Sequence, residues 1–202
     1  GAVDKLELFD DGTFPVSSLS DKLFDDVFYF CGPYCKLFKS SIVKDVTICF
    51  PAEMSYGEDA VFYHAYLENC KVIALLSFTN YNYTVANQGA LSTKTLLPDK
   101  FWQNQSRRRG AYRKLRNIFG LSPEISCREM FCKVAGVRGM LNSIFKFAAD
   151  DATVARYLQL MASDAGFLLS DLRTDSFLQL MMLRLVHANN KFSRSLLKCL
   201  YR

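Results

Sequence analysis

The sequence predicts an α+β chain in which helices predominate, and three observations support this prediction. From about residue 99 onward, apolar residues recur at helical spacing almost throughout. Before residue 98, short alternating or apolar runs are bounded by turn residues, as is typical of strands. Half of the 202 residues are hydrophobic and 14% are aromatic, which indicates a globular core and excludes the disordered class. We therefore divide the chain into a mixed region at 1–98 and a helical region at 99–202.

The mixed region is predicted to alternate short strands with helices. In chain order, the predicted elements are a strand at 5–9, a turn at 10–13, helices at 22–30 and 34–43, a strand at 46–50, a helix at 58–70, a buried strand at 71–78, a strand at 81–85 and a loop at 87–92. Ser20 and Asp21 offer an N-cap for the first of these helices, and Pro51 ends the strand at 46–50. This region therefore supplies few strands, all of them short.

The helical region is predicted from its caps and its apolar spacing. The predicted helices lie at 100–119, from 123 to about 148, and at 152–162, 176–188 and 191–202. Asp99 and Asp151 are predicted to act as N-caps, while Gly120 is predicted to end its helix in the left-handed conformation. The recurring apolar stripes predict a helical bundle with a shared core.

Charge and cysteine usage restrict the class of protein. Residues 1–60 carry 5 Lys or Arg against 11 Asp or Glu, whereas residues 61–202 carry 20 against 9. This asymmetry concerns partners rather than fold. Seven cysteines among apolar neighbours are typical of reduced thiols, so we expect a cytoplasmic location, and their spacing does not favour a zinc site. No run of 18 apolar residues predicts a membrane-spanning helix.

Two adjacent carboxylates, Glu58 and Asp59, stand where the helix at 58–70 begins. Acidic residues in the first turn of a helix commonly stabilise its N-terminus, so ordinary helix capping explains the pair. A positioned carboxylate can also act as a general base, so catalysis explains it as well. The two residues alone leave both interpretations open.

A larger pattern around this pair resembles the second half of the catalytic domain of family 2 glycosyltransferases, which have the GT-A fold. Four motifs stand in the order found in that family: "CGPYCKLFKSSIV" at 31–43, "ICFPAEMSYGEDAVF" at 48–62, "YLENCKVIALLSFTNYNYTV" at 66–85 and "GALSTK" at 89–94. The resemblance implies that 1–98 is the C-terminal half of a GT-A-like domain. It also implies transfer of a sugar from a nucleotide-sugar donor to a hydroxyl of a glycan or lipid-linked acceptor, as in polysaccharide biosynthesis for the cell envelope.

The resemblance implies roles for the two carboxylates. Asp59 matches the family's base, which takes the proton from the acceptor hydroxyl as the anomeric centre inverts, and Glu58 would orient or bind beside it. Tyr34, Tyr56 and Trp102 are candidates for stacking on acceptor sugar rings, although packing explains each of them equally well. Lys36 is a candidate for phosphate or acceptor contact, with solvation of a helix surface as the alternative.

This sequence also departs from the family pattern. The family's nucleotide-binding half carries an Asp-x-Asp metal motif, and no such motif occurs in these 202 residues. We therefore expect a chain trimmed from a longer protein, inactive alone, whose missing N-terminal half binds the nucleotide together with Mg²⁺ or Mn²⁺. No cofactor is expected within this chain itself.

The helix at 100–119 carries a run of basic residues, which we call the basic set: Arg107, Arg108, Arg109, Arg113, Lys114 and Arg116. Contact with an anionic membrane surface at the inner face of the membrane, or with a charged acceptor, is one interpretation. A solvated helix whose arginine stems cover apolar surface is another. The set shows no repeated alternation of aromatic and basic residues of the kind that single-stranded nucleic-acid binders use, so nucleic acid is disfavoured. The alternative function is thus a non-catalytic helical interaction module with a basic surface.

Overall fold

The structure is a computed structural model that describes residues 11–18, 36–76, 95–120, 127–164 and 177–201, with only the backbone of 127–133. It is mostly helical with a small two-stranded sheet, which confirms the predicted α+β class. The chain divides into two compact units: one combines residues 1–88 with 110–124, and the other combines 89–109 with 125–202. The boundary at residue 98 stays a prediction. The predicted elements at 5–9, 22–30, 81–85 and 87–92 lie outside the described residues.

The first unit contains the sheet. Strand β1 (Gly12–Pro15) pairs antiparallel with strand β2 (Val72–Leu75), so that Gly12 faces Leu75 and Pro15 faces Val72. The turn predicted at 10–13 is therefore wrong, because the strand already begins within it. Strand β2 falls inside the run predicted at 71–78, but Val72 is 52% exposed rather than buried.

Two helices follow one another in this unit. Helix α1 (Ser40–Asp45) is shorter than the helix predicted at 34–43 and begins later, since residues 36–39 are not helical. Helix α2 (Glu58–Leu67) confirms the helix predicted at 58–70 and ends a few residues earlier. Between them, the strand predicted at 46–50 is wrong. Thr47 there has φ 53°, a left-handed conformation that interrupts an extended run.

Helix α2 buries an aromatic face. The ring of Phe38 makes edge contacts with Phe62 and Tyr66 at centroid distances of 5.4 and 4.9 Å, and the Tyr66 hydroxyl accepts a hydrogen bond from the Lys39 N–H at 2.7 Å. On another side of α2, the buried His64 ring lies 5.9 Å from the ring of Tyr112. Aromatic pairs at these distances fix α2 within its unit.

Helix α3 (Pro98–Ile118) contributes residues to both units and ends before Gly120, whose φ of 60° confirms the predicted left-handed stop. Asp99 lies inside its first turn rather than at the N-cap. In the second unit, α4 (Cys127–Phe147) is followed by α5 (Asp151–Ser163), α6 (Phe177–Ala188) and α7 (Lys191–Leu200).

These last four helices pack around one apolar core, with α5 in contact with α4, α6 and α7. Fully buried members of the core include Met140, Leu141, Leu158, Met161 and Leu197. Asn189 has φ 42° and Asn190 caps α7, accepting a hydrogen bond from the Ser193 N–H at 2.8 Å. The predicted break at these two asparagines is confirmed. Within the described ranges, no helix has the length and hydropathy required to cross a membrane.

Candidate functional site

The candidate site is built on the N-terminus of α2, where a glycine sets the entry of the chain. Gly57 is the N-cap residue of α2, with φ 76° and ψ 14°. Because glycine has no side chain, this residue makes no side-chain hydrogen bond to the first N–H groups of the helix. Only glycine adopts this left-handed conformation at little cost. The sharp turn makes Glu58 and Asp59 the first two residues of the helix, next to its free N–H groups.

The Asp59 carboxylate takes part in the helix start with one of its oxygens. Its Oδ1 accepts a hydrogen bond from the Ala60 N–H at 2.7 Å. A carboxylate has two oxygens and about four lone-pair positions, so this bond leaves the second oxygen available. Helix capping and a chemical role are therefore compatible in the same side chain.

Both carboxylates are half-buried and lie in the field of the helix N-terminus. Within the part of the chain that the structure describes, no lysine, arginine or histidine forms an ion pair with Glu58 or Asp59. The positive end of the helix dipole stabilises two such anions without neutralising them by a contact. They can therefore bind a hydroxyl or accept a proton.

Lys36 approaches the same face of α2. Its Nζ lies 4.8 Å from the centroid of the Tyr63 ring, and Tyr63 stands one helical turn after Asp59. Residues four apart share a helix face, and their side chains tilt toward the N-terminus. The structure thus places Lys36 against the Tyr63 ring, on the face of α2 that also carries Asp59.

The predicted stacking residues are distributed differently. Tyr56 directly precedes Gly57 and is 40% exposed, so it stands at the rim of the site. Tyr34 lies outside the described residues. Trp102 belongs to the second unit, where it packs against the core and carries the Arg109 guanidinium at 5.5 Å from its ring. Packing accounts for Trp102 without an acceptor.

The basic set is largely engaged within the fold. Arg109 pairs with Asp164 at 3.1 Å, and Lys114 pairs with Glu68 at 2.5 Å. Arg116 is buried, 8% exposed, and donates a hydrogen bond to the Tyr112 hydroxyl at 3.3 Å, so it adds no charge to a surface. Arg107 and Arg108 also take part in interactions. Of the predicted basic surface, Arg113 is an exposed residue that the described contacts leave to solvent.

The structure adds two residues that the sequence analysis did not single out. Phe50 and Phe62 stack with ring centroids 4.3 Å apart and planes only 4° apart, and Phe50 remains 48% exposed. The sequence pattern does not distinguish this pair from the other aromatic residues of the region, because stacking and exposure depend on tertiary contacts. The pair packs on α2, the helix that begins with the two carboxylates.

Metal ligation finds no support in this part of the protein. Across the described ranges, no group of three or more His, Cys, Asp or Glu side chains is placed to hold a metal ion. The Mg²⁺ or Mn²⁺ expected with the nucleotide concerns the remainder of a longer protein, and that expectation stays untested.

Comparisons of the chain with protein-family models, with curated proteins and with solved structures found no match.

Proposed function

We propose that this chain supplies the acceptor side and the catalytic base of an inverting glycosyltransferase that uses a nucleotide-sugar donor. The observation that carries the proposal is the placement of Asp59. It stands behind a left-handed glycine in the first turn of α2, half-buried, with one oxygen bound to the Ala60 N–H and with Lys36 approaching the same helix face. The four ordered motifs of the family 2 resemblance surround this residue.

The reaction requires a base because an alcohol is a poor nucleophile. As the acceptor oxygen bonds to the anomeric carbon, the bond from that carbon to the phosphate oxygen breaks, and the nucleoside diphosphate leaves with the electron pair. The acceptor proton passes to the free oxygen of the Asp59 carboxylate, which is the role of a general base. Attack from the face opposite the leaving group inverts the anomeric centre.

Glu58 has a different role in this proposal. It is adjacent to Asp59, half-buried, and also unpaired with any cation among the described residues. Successive residues of a helix point in different directions, so both carboxylates do not reach one atom. We assign Glu58 to orienting a second hydroxyl of the acceptor, and Lys36 to binding an anionic group of the substrate.

The alternative function, a non-catalytic module with a basic surface, receives less support. It needs exposed cationic groups, whereas Arg116 is buried and Arg109 pairs with Asp164 at 16% exposure. Arg107, Arg113 and Lys114 are the exposed members of the basic set, and Lys114 pairs with Glu68. The alternative also gives Asp59 no role.

The experiment is Asp59→Asn in the full-length protein, assayed by release of nucleoside diphosphate from a panel of UDP-, GDP- and dTDP-sugars with lipid-linked and glycan acceptors. The asparagine oxygen can still accept the Ala60 N–H, so the helix start is kept. Turnover should fall by about a hundredfold to ten-thousandfold, the contribution of a general base, while donor binding is retained.

Asp45→Asn is the matched control, because Asp45 is an exposed carboxylate at the end of α1 to which the proposal gives no role. This control should keep full activity. Unchanged sugar transfer in Asp59→Asn would remove the proposal and leave the interaction module as the better description.

A further inference from the structure

Phe50 presents an aromatic ring that is held firmly but remains open to solvent. One face of its ring stacks on Phe62 at 4.3 Å with nearly parallel planes, while 48% of the residue is exposed. Phe62 is itself 7% exposed and is held on its edge by Phe38 at 5.4 Å. A stack that covers one face of a ring leaves the opposite face for a ligand.

The local chain fixes the position of this ring. Phe50 precedes Pro51, and a residue before proline is restricted to extended conformations. A turn follows in which the Met54 N–H donates to the Pro51 carbonyl at 3.0 Å, and the Met54 side chain is buried. The backbone after Phe50 is therefore constrained by Pro51, by the hydrogen bond of the turn and by the buried Met54 side chain.

The ring also packs on α2, the helix that begins with Glu58 and Asp59. Phe62 lies three residues after Asp59, so the two share a helix face, and the Phe62 side chain tilts back toward the N-terminus. Because Phe50 stacks on Phe62, its ring is attached to the face of α2 that carries Asp59. Tyr56, also exposed, closes the same loop just before Gly57.

We propose that Phe50 is the platform on which the acceptor sugar stacks, placing the acceptor hydroxyl beside Asp59. This inference rests on the proposed function. A pyranose ring presents a flat face of C–H groups, which packs on an aromatic face, while its hydroxyl groups at the rim remain free for carboxylates. The ligand class is therefore a neutral pyranoside with one apolar face, recognised by Phe50 and oriented by Glu58.

The other occupant to consider is a further part of the protein that simply covers Phe50. That arrangement would bury the outer face of the ring and leave no space for a sugar. The two occupants differ in their response to a small glycoside, since only an open platform binds one.

The experiment is saturation-transfer difference NMR on this 202-residue chain with the methyl glycosides of glucose, galactose, mannose, rhamnose and N-acetylglucosamine. We expect saturation of the C–H protons on one face of at least one of these pyranosides. Phe50→Ala should weaken its binding about threefold to tenfold, as the loss of an aromatic contact predicts. Phe50→Tyr and Phe50→Trp keep an aromatic ring and should retain glycoside binding. Retained binding would show that the sugar contacts the aromatic face.

Two controls make the outcome specific. Val46→Ala removes an apolar side chain of the same exposure, 48%, in the same unit, and should leave glycoside binding unchanged. Asp59→Asn should keep glycoside binding on this chain while abolishing transfer in the full-length protein. Absence of saturation with every glycoside, or equal saturation in Phe50→Ala and wild type, overturns the platform.

These measurements also separate the two proposals. If Asp59→Asn loses transfer but Phe50→Ala binds glycosides normally, the glycosyltransferase stands and the platform is wrong. If Asp59→Asn transfers sugar at the wild-type rate, the proposed function itself is wrong, whatever Phe50 binds.

Discussion

Asp59 combines a structural contact through one carboxylate oxygen with a second oxygen for which the described residues show no hydrogen bond. Its Oδ1 accepts the Ala60 N–H at 2.7 Å, so part of the carboxylate replaces a cap that Gly57 has no side chain to provide. This hydrogen bond holds the Asp59 side chain in place. A carboxylate that is already oriented loses less conformational entropy when it takes the proton of the acceptor. The capping interpretation thus supports the catalytic one.

Asp150 provides a residue-scale prediction about pH. It is the N-cap of α5, and its carboxylate accepts the Thr153 N–H at 2.6 Å. This backbone hydrogen bond holds the pKa of Asp150 below its usual range. A carboxyl with a lowered folded-state pKa contributes stability above the unfolded pKa, near 3.9, and loses it as the pH falls through the folded value.

The variant Asp150→Asn keeps an oxygen acceptor for the Thr153 N–H but does not titrate there. The wild-type protein should melt at a higher temperature than the variant at pH 7, and the gap should close as the pH approaches 2. Thermal unfolding followed by circular dichroism at several pH values measures the gap. A gap that stays constant over this range contradicts the assignment, while Asp150→Ala should lower the melting temperature at every pH above 4.

The same helix start shows what sequence reasoning can and cannot assign at single residues. Asp151 was predicted to cap α5, but Asp150 does so. Two adjacent aspartates are equally able to cap, and only the fold decides between them. Arg194 binds both Asp151 oxygens at 2.7 and 2.6 Å, which lowers the pKa of that carboxyl and commits it to α7 instead.

At the scale of elements, helices were predicted well because their signals are local. Gly120 and the Asn189–Asn190 pair end helices through left-handed residues that the sequence shows directly. Strands depend on partners distant in the sequence. Residues 46–50 have strand composition but no strand forms there, whereas Gly12–Pro15 pairs with Val72–Leu75 across about sixty residues.

Helix packing in the second unit supplies an element-scale prediction. A Cβ added at Gly139 in α4 would lie 2.5 Å from the Phe101 Cζ of α3, whereas one added at Gly110 would meet no atom within 4 Å. Gly139→Ala should therefore lower the free energy of unfolding, by about 1–3 kcal/mol for an overpacked core. Gly110→Ala should raise it by about 0.5–1 kcal/mol, since alanine is the better helix former.

Urea denaturation of both variants measures this difference, and their opposite signs make each a control for the other. Phe101→Leu, combined with Gly139→Ala, removes the clashing ring atoms and should recover part of the loss. Equal effects of the two glycine substitutions would mean that Phe101 does not press against Gly139.

At the scale of the whole molecule, the candidate site was only partly accessible to sequence reasoning. The motif order located Glu58 and Asp59, and the fold brought Lys36 to the same helix face. Trp102 packs against the core of the second unit, and its acceptor contact stays a prediction, because an aromatic residue in a helix gives the same sequence pattern whether it packs on a core or meets a ligand. The sequence analysis did not single out Phe50. Its ring stacks on Phe62 and still remains 48% exposed, and both properties depend on tertiary structure.

The division of the molecule shows the same limit. Helical periodicity identified α3 as one element, and the helix is indeed continuous over Pro98–Ile118. Its residues up to 109 nevertheless belong to the second unit and those from 110 to the first. Periodicity reports that a residue faces a core, but it does not report which core, so a unit boundary inside a helix leaves no signal in the sequence.

The last prediction concerns the donor and follows from the distribution of chemistry over the whole chain. No Asp-x-Asp motif occurs in the 202 residues, and no cluster of metal-ligating side chains is found where the structure describes them. Nucleotide-sugar phosphates are bound by such ions, because divalent cations neutralise the diphosphate. This chain alone should therefore give no calorimetric binding of UDP-glucose or GDP-mannose with Mg²⁺ or Mn²⁺, whereas the full-length protein should bind its donor. Micromolar binding by this chain would contradict the assignment of the chain to the acceptor side.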